Sequence, residues 1–326
     1  MDRLVKVVVL IAGLALGTGR ASGASATQPA GPVNFAPPLE LAPAPTLTHV
    51  NPSQSGENTK YGLLGLLDHR SVIGTGFYPE PFLVDEGDVD REIELDWAHK
   101  EGHHAVSDDV TAEVEWSFGQ LTFELECPYL RDYSDTIDPG TGLKSAEREE
   151  GIGPPSIAAR YPAWEWVSAD GNVENAVMAA CEVAFPSNSV VGKTTEIVPE
   201  VFDLLRVGDH FGLQTHFGYS TLYGGDENNH QTFEYSADFS YNIGSDQIPL
   251  PPHVIGLVPM VELGGERPLN YGGQNDDLTG VIGGRINLDA IGPAAPRLGV
   301  GYIFPIDKGS REEFNWGVVV SLVFDL

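Results

Sequence analysis

The chain has 326 residues, 41% of them hydrophobic, with 38 glycines and 24 prolines. That composition excludes a disordered chain and favours many turns over long helices. A formal net charge of −29, from 47 acids against 18 bases, repels phosphate backbones and sets nucleic acid aside as a partner.

The first residues, "MDRLVKVVVLIAGLALGTGRASGASATQP", read as a secretory signal peptide over 1–26. Arg3 and Lys6 form the basic start, Val7 to Gly17 the apolar stretch, and Ala24-Ser25-Ala26 the small-residue exit. The apolar stretch is short for a spanning helix. Export would leave the mature chain at about −31, through loss of Arg3, Lys6, Arg20 and Asp2. Residues 27–90 divide into a tether rich in Pro, Ala, Ser and Thr (27–60) and a more apolar stretch without sustained period (61–90). The second stretch is a candidate plug or lateral gate, in which Leu63, Leu64, Leu66, Leu67, Phe77, Tyr78 and Phe82 could line a greasy path. A disordered or periplasmic segment is the alternative.

From residue 91 onward, alternation at period two appears, breaks and returns. "REIELDWA" sets Ile93, Leu95 and Trp97 against Glu92, Glu94 and Asp96. "VTAEVEW" (110–116), "LTFELEC" (121–127), "FEYSADFSY" (233–241) and "RLGVGYIF" (297–304) repeat the theme. Weaker members lie at 156–167, 175–185, 194–205, 210–220, 253–264 and 277–288, and the last at 313–326. About twelve strands result, many of about ten residues, a length that crosses a bilayer when tilted. Every second connection is short (118–120, 169–172, 206–209, 292–296), with 244–252 as the exception. The others, 99–109, 129–154, 186–193, 221–231, 265–276 and 306–312, are longer and more polar. Barrels of the outer membrane sort short periplasmic turns from long external loops in this way.

Alternation alone does not say which solvent meets the apolar face. The export signal, the strand lengths and the aromatics near segment ends (Trp97, Trp116, Tyr129, Trp164, Trp166, Tyr219, Tyr241, Trp316) point to lipid. The expected fold is therefore all-β: a transmembrane antiparallel up-and-down β-barrel of about twelve strands over 91–326. Its location would be the cell outer membrane of a Gram-negative-type bacterium, with lipid and lipopolysaccharide as surroundings. In the closing "EEFNWGVVVSLVFDL", Trp316, Val318, Val320, Leu322, Phe324 and Leu326 share one face, with Val319 and Val323 as exceptions on the other. This segment resembles the terminal strand recognised by the barrel-assembly machinery, although Leu326 stands where that signal usually has an aromatic.

Several stretches carry a wider resemblance: "SFGQLTFELECPYL", "GIGPPSIAARY", "CEVAFPSNS", "FGLQTHFGY" and "VPMVELGGERP". In order and spacing they resemble a family of outer-membrane transporters catalogued under the meta-pathway of phenol degradation. The resemblance covers most of 91–326 and leaves out 27–90. It implies a pore or transporter for small compounds, apolar or aromatic ones among them, without identifying the cargo.

With the apolar face toward lipid, the interior receives Glu92, Glu94, Asp96, Glu113, Glu115, Glu124, Glu126, Glu182, Glu196, Glu200, His216, Glu234, Asp238 and Glu262, joined by Arg160 and Arg285. One expectation is an acid-lined, cation-preferring pore open to passive diffusion. The other is a plugged structural or adhesive barrel in which these groups pair with each other. No cofactor or resident metal is expected. His99, His103, His104, Asp108 and Asp109 in "HKEGHHAVSDD" could bind zinc or copper, but read as a solvated loop. "DTIDPGTG" and "GGDENNHQ" lack the ordered spacing of a calcium loop. No G-x-S-x-G, H-E-x-x-H, Walker loop or C-x-x-C occurs, so an enzyme is not expected. A Ser–His pair is limited to His216 and Ser220 on one strand face. Cys127 and Cys181 read as small hydrophobes at apolar strand positions.

Overall fold

The computed structural model describes residues 60–61, 66–67, 78–83, 87, 91–118, 121–137, 144–187, 194–225, 228–271, 276–292 and 294–326. The leader and most of the tether expected from the sequence lie outside them. Lys60–Tyr61 and Leu66–Leu67 form a small antiparallel pair.

The barrel strands are β1 (Arg91–Glu101), β2 (Ala105–Phe118), β3 (Leu121–Ile137), β4a (Lys144–Ile152) with its continuation β4b (Ser156–Val167), and β5 (Val173–Ala184). They continue as β6 (Thr195–Val207), β7 (Phe211–Tyr223), β8 (Gln231–Tyr241), β9 (Val254–Pro268), β10 (Asp277–Leu288), β11 (Ala295–Pro305) and β12 (Trp316–Asp325). Each pairs antiparallel with its neighbours in sequence. Pairing of β8 with β9 and of β12 with β1 (Trp316↔Glu101 to Asp325↔Glu92) closes the ring. Two of the fourteen hydrogen-bonded segments are extensions, β4a beyond the break at 153–155 and Ile243–Gly244 after β8, so the ring has twelve staves. Closure leaves no sheet edge, which a bilayer demands of any β-structure.

The alternation reads outward as expected. Leu125 is 53% exposed and its neighbour Glu124 6%. Ile93, Leu95, Ile157, Tyr161, Ile282, Val300 and Tyr302 are likewise exposed on the outer face. A soluble barrel would place these side chains inside. Exposed aromatics gather toward both ends: Trp166 and Tyr241 at the short-turn end, Tyr129, Tyr219 and Trp316 toward the other. Cys127 and Cys181 are free and exposed on the same outer face.

β4b holds a phase change that simple alternation misses. Arg160, Trp164 and Trp166 have the same parity, yet Arg160 is buried inside while both tryptophans are exposed outside. A register shift between Pro162 and Trp164 supplies the extra residue that reverses the phase. Pro162 lacks an N–H for the ladder, so this is where an irregularity costs least.

The connections correct one expectation. The segments 99–109 and 129–154 are mostly strand: β1 and β2 meet across three residues, and β3 runs on to Ile137 beside β4a. Beyond the bilayer both faces of a strand meet water, so the apolar alternation fades while backbone pairing continues. Apart from the nine-residue extension β4a, the strands are accordingly ten to seventeen residues long, against the nine to eleven, roughly, that a bilayer needs. The connection 306–315 contains a helical turn, α1 (Lys308–Glu313), capped by Asp307, whose carboxylate accepts from the Ser310 N–H at 3.1 Å.

Candidate functional site

The inward face contains ion pairs, two apolar patches and a strap of chain between them. Near the short-turn end, Arg297 pairs with Glu92 at 2.8 Å and with Asp325. Arg206 pairs with Glu174 at 2.9 Å and also donates to the carbonyls of Gly171 and Gly208. Further in, the buried Arg160 of β4b bridges Glu115 of β2 and Glu124 of β3. Arg285 of β10 lies 3.4 Å from Glu94 and donates to Ser321 Oγ at 2.7 Å, and that hydroxyl donates on to Glu94. Toward the long-loop end, His216 Nε2 lies 3.0 Å from Glu200, its ring stacked on Phe202.

All the candidate lumen residues face inward. Glu92, Glu94, Glu115, Glu124, Arg160, Glu200, His216, Asp238, Glu262 and Arg285 are buried. Asp96, Glu113, Glu126, Glu182, Glu196 and Glu234 are half-buried. Three groups bring ligand-type atoms within 4.8 Å of one another: Glu200, His216 and Glu234; Glu80, Glu92 and Glu94; and Glu113, Glu115 and Glu124. Arg297, Arg285 and Arg160 already supply positive charge to the last two, and the first contains the His216–Glu200 contact. Ser220 donates to Glu196 and His216 engages Glu200. His99 meets Asp108 at 2.9 Å across β1 and β2, while His103 and His104 are exposed in the turn.

Sequence reasoning treated the inner face as acidic and missed its apolar half. Ala176, Met178, Phe202 and Leu204 of β5 and β6 form one buried patch with Tyr78. Val258, Met260, Val281, Ile303, Phe314 and Val319 form a second with Phe82. Val319 and Val323, the exceptions in the final strand's alternation, are both fully buried inward. The available signal was such same-parity violations: Phe202 and Leu204 share the parity of Glu200, and Met260 that of Glu262.

The described stretch Tyr78–Leu83 is the strap. Its backbone is held by polar side chains of the wall. Gln214 Nε2 donates to the Pro79 carbonyl at 2.8 Å, and Arg285 Nη2 to the Pro81 carbonyl at 2.7 Å. The N–H groups of Phe82 and Leu83 donate to the two oxygens of Glu262, at 2.7 and 3.2 Å. Hydrogen bonds to a charged partner are worth about 1.5–3 kcal/mol each. The Phe82 ring fits a notch cut by inward glycines: a Cβ on Gly299 would stand 2.5 Å from the ring, and one on Gly283 3.0 Å.

Placement across the bore matters most. Pro79 is held by Gln214 on β7, while the carboxylate of Glu80, the next residue, lies within 4.8 Å of Glu92 and Glu94 on β1. In the ring order, β1 and β7 are six staves apart by either route. Two consecutive residues thus meet opposite walls. At this level the lumen is occupied by chain and side chains.

On the outside, a groove of about 570 Å³ opens where the outward Gly284 leaves room beside exposed Ile282, Val300 and Tyr302.

Searches of the sequence against family models and curated proteins give no match. Among solved structures, the chain is similar to the COG4313 outer membrane channel from Pseudomonas putida F1, at 11% identity and a TM-score of 0.48, covering 74% of this chain and 98% of that one. It is also similar to the NanC porin, at 9% identity and a TM-score of 0.42 over 72% of this chain and 98% of that one. The β domain of the Bordetella autotransporter BrkA matches at 11% identity and a TM-score of 0.38, over 72% and 98% of the two chains.

Proposed function

We propose that this protein is an outer-membrane channel for small compounds, closed in the described state by the strap at Tyr78–Leu83. The observation that carries this reading is the contact of Pro79 and Glu80 with opposite walls of a closed, twelve-stave ring. A barrel stabilised only by side-chain pairing would not need a separate segment threaded through it. The strap's polar contacts use Gln214, Glu262 and Arg285, costly buried groups that ordinary apolar packing would replace at no loss of stability.

The reading extends to the surroundings and the cargo. The apolar outer face and its aromatic ends support residence in the outer membrane, reached by export of the 1–26 leader and insertion through the final strand. The passage would run past acid groups on one side and the Tyr78 and Phe82 patches on the other. That mixture suits small amphipathic or aromatic solutes, in keeping with the resemblance of the strand motifs to the phenol meta-pathway transporters. A role carried only by the external loops is the alternative.

Liposome swelling tests the proposal. Vesicles containing the full chain are expected to admit a small phenol-sized solute faster than protein-free vesicles, and faster than a disaccharide. Equal swelling for all solutes and for protein-free vesicles would rule out a channel.

A further inference from the structure

Beneath the strap, β7 and β8 present a set of oxygen atoms that the described contacts leave unused. Asp238 is fully buried, and neither of its carboxylate oxygens has a hydrogen-bond partner. Gln214, its direct register partner on β7, is 3% exposed. The Gln214 amide nitrogen is committed to the Pro79 carbonyl, while its Oε1 is without a partner. Ser240, two residues along β8 on the same inward face, is 2% exposed with an unpartnered hydroxyl. Asp238 and Gln214, directly opposed, hold their Cβ atoms about 4.5–5.5 Å apart, and Ser240, opposed to Gly212, stands diagonal to Gln214 at about 7–8 Å, a gap that the long Gln214 side chain can span.

A buried carboxylate with no donor is one of the more costly arrangements a protein can hold. The surroundings make it worse. Glu262 stands opposite Asp238 on β9, and its own oxygens are taken by the Phe82 and Leu83 N–H groups. Arg285 turns its Nη groups to Glu94, Ser321 and Pro81 and leaves its Nε without a partner, and among the described residues no ion pair joins it to Asp238. What the carboxylate lacks is a positive partner in direct contact: the charge of Arg285 reaches it only across space. The three donor types at the position, carboxylate, amide carbonyl and hydroxyl, are all hard oxygens, the set preferred by sodium and calcium over transition metals.

We propose that Asp238, Gln214 and Ser240 form a binding site for one hard cation, sodium or calcium, in the barrel wall beneath the strap. The cation accepts the Gln214 Oε1 lone pairs and so holds the amide with its nitrogen toward Pro79. It also offsets the charge of Asp238 beside Glu262. The site is independent of whether the barrel conducts.

The test uses the full chain, purified in detergent and stripped with EDTA into sodium-free buffer. Calorimetric titration with CaCl2, and separately with NaCl, is run on wild type, Asp238→Asn and Ser240→Ala. Folding of each is checked by heat-modifiable gel mobility. Because surface acids bind calcium weakly, the readout is the difference: wild type is expected to bind one more equivalent of one of the two ions than Asp238→Asn, with Ser240→Ala intermediate in affinity. Should Asp238→Asn not fold, Gln214→Met takes its place in the same comparison. Equal stoichiometry in wild type and variant would overturn the proposal. So would an infrared band of protonated carboxyl, absent from the variant, that persists in wild type at saturating CaCl2 and NaCl; that result would assign a proton to the position.

Discussion

The guanidinium carbon of Arg285 lies 4.9 Å from the centre of the Phe82 ring, and the same side chain donates to the carbonyl of Pro81. One wall residue therefore grips the strap twice, through its ring and through its backbone. A desolvated cation–π contact contributes about 2 kcal/mol. Truncating a buried Phe to Ala costs about 3–5 kcal/mol. Phe82→Ala is therefore expected to shift the docked strap toward release by about a hundredfold or more, with β-barrel folding retained. Single-channel recording checks this: the variant should open far more often than wild type.

The notch that receives Phe82 can be filled from the other side. A Cβ at Gly299 already falls 2.5 Å from the ring, so Gly299→Val forces Phe82 out or distorts β11. Overpacking of this kind costs about 1–3 kcal/mol. Gly299→Val should raise open probability as Phe82→Ala does, and the double variant should open no more than either alone. Additive effects would mean that the two positions do not act through one contact.

Arg160 is the shared partner of two buried carboxylates on different strands. Removing it leaves Glu115 and Glu124 facing each other within the barrel. Breaking a buried pair by removing one partner costs about 3–5 kcal/mol. Arg160→Met should lower stability by about that amount in urea titrations of folded protein in lipid vesicles. The triple variant with Glu115→Gln and Glu124→Gln should recover much of the loss.

Outside the membrane, the turn at 168–172 has a pH signature. Asp170 accepts from Ser168 Oγ at 2.6 Å, from the Asn172 N–H at 3.2 Å and from Asn172 Nδ2 at 2.8 Å. These bonds, the one from Ser168 foremost, hold its carboxyl down at about 2 against an ordinary 3.8. A lowered acid contributes stability above its unfolded value and loses it as pH falls toward the folded one. The turn should therefore hold at pH 4 and above and loosen as pH falls from about 4 to about 2. Carboxyl NMR titration should give a midpoint near 2 for Asp170, returning toward 3.8 in Ser168→Ala.

The barrel was legible because lipid and lumen impose opposite demands on alternate residues. Leu125 beside Glu124, or Leu95 beside Glu94, carries that contrast on its own. The reach of β3 to Ile137 was not legible, because water on both faces removes the contrast. Neither was the reversal at Pro162, since a single inserted residue leaves local composition unchanged. In the site, the inward placement of Arg160, Arg285 and most of the buried acids followed from parity, but Arg206, Arg297 and Glu174 near the short turns did not, nor did the pairings: Arg160 with Glu115 and Glu124 depends on stave neighbours and stagger. Phe82 stood out only as an apolar residue in an aperiodic stretch. Its partners Gly299 and Arg285 lie more than two hundred residues on, beyond the reach of any local pattern.

The strap's role is tested most directly by conductance in planar bilayers of the mature full chain beside a chain lacking residues 27–90. Residues 91–326 close the ring by themselves, so the shortened chain should still insert. Closure by Tyr78–Leu83 predicts low, intermittent current for the full chain and a steady current several times larger for the shortened one. Equal currents from the two would contradict it.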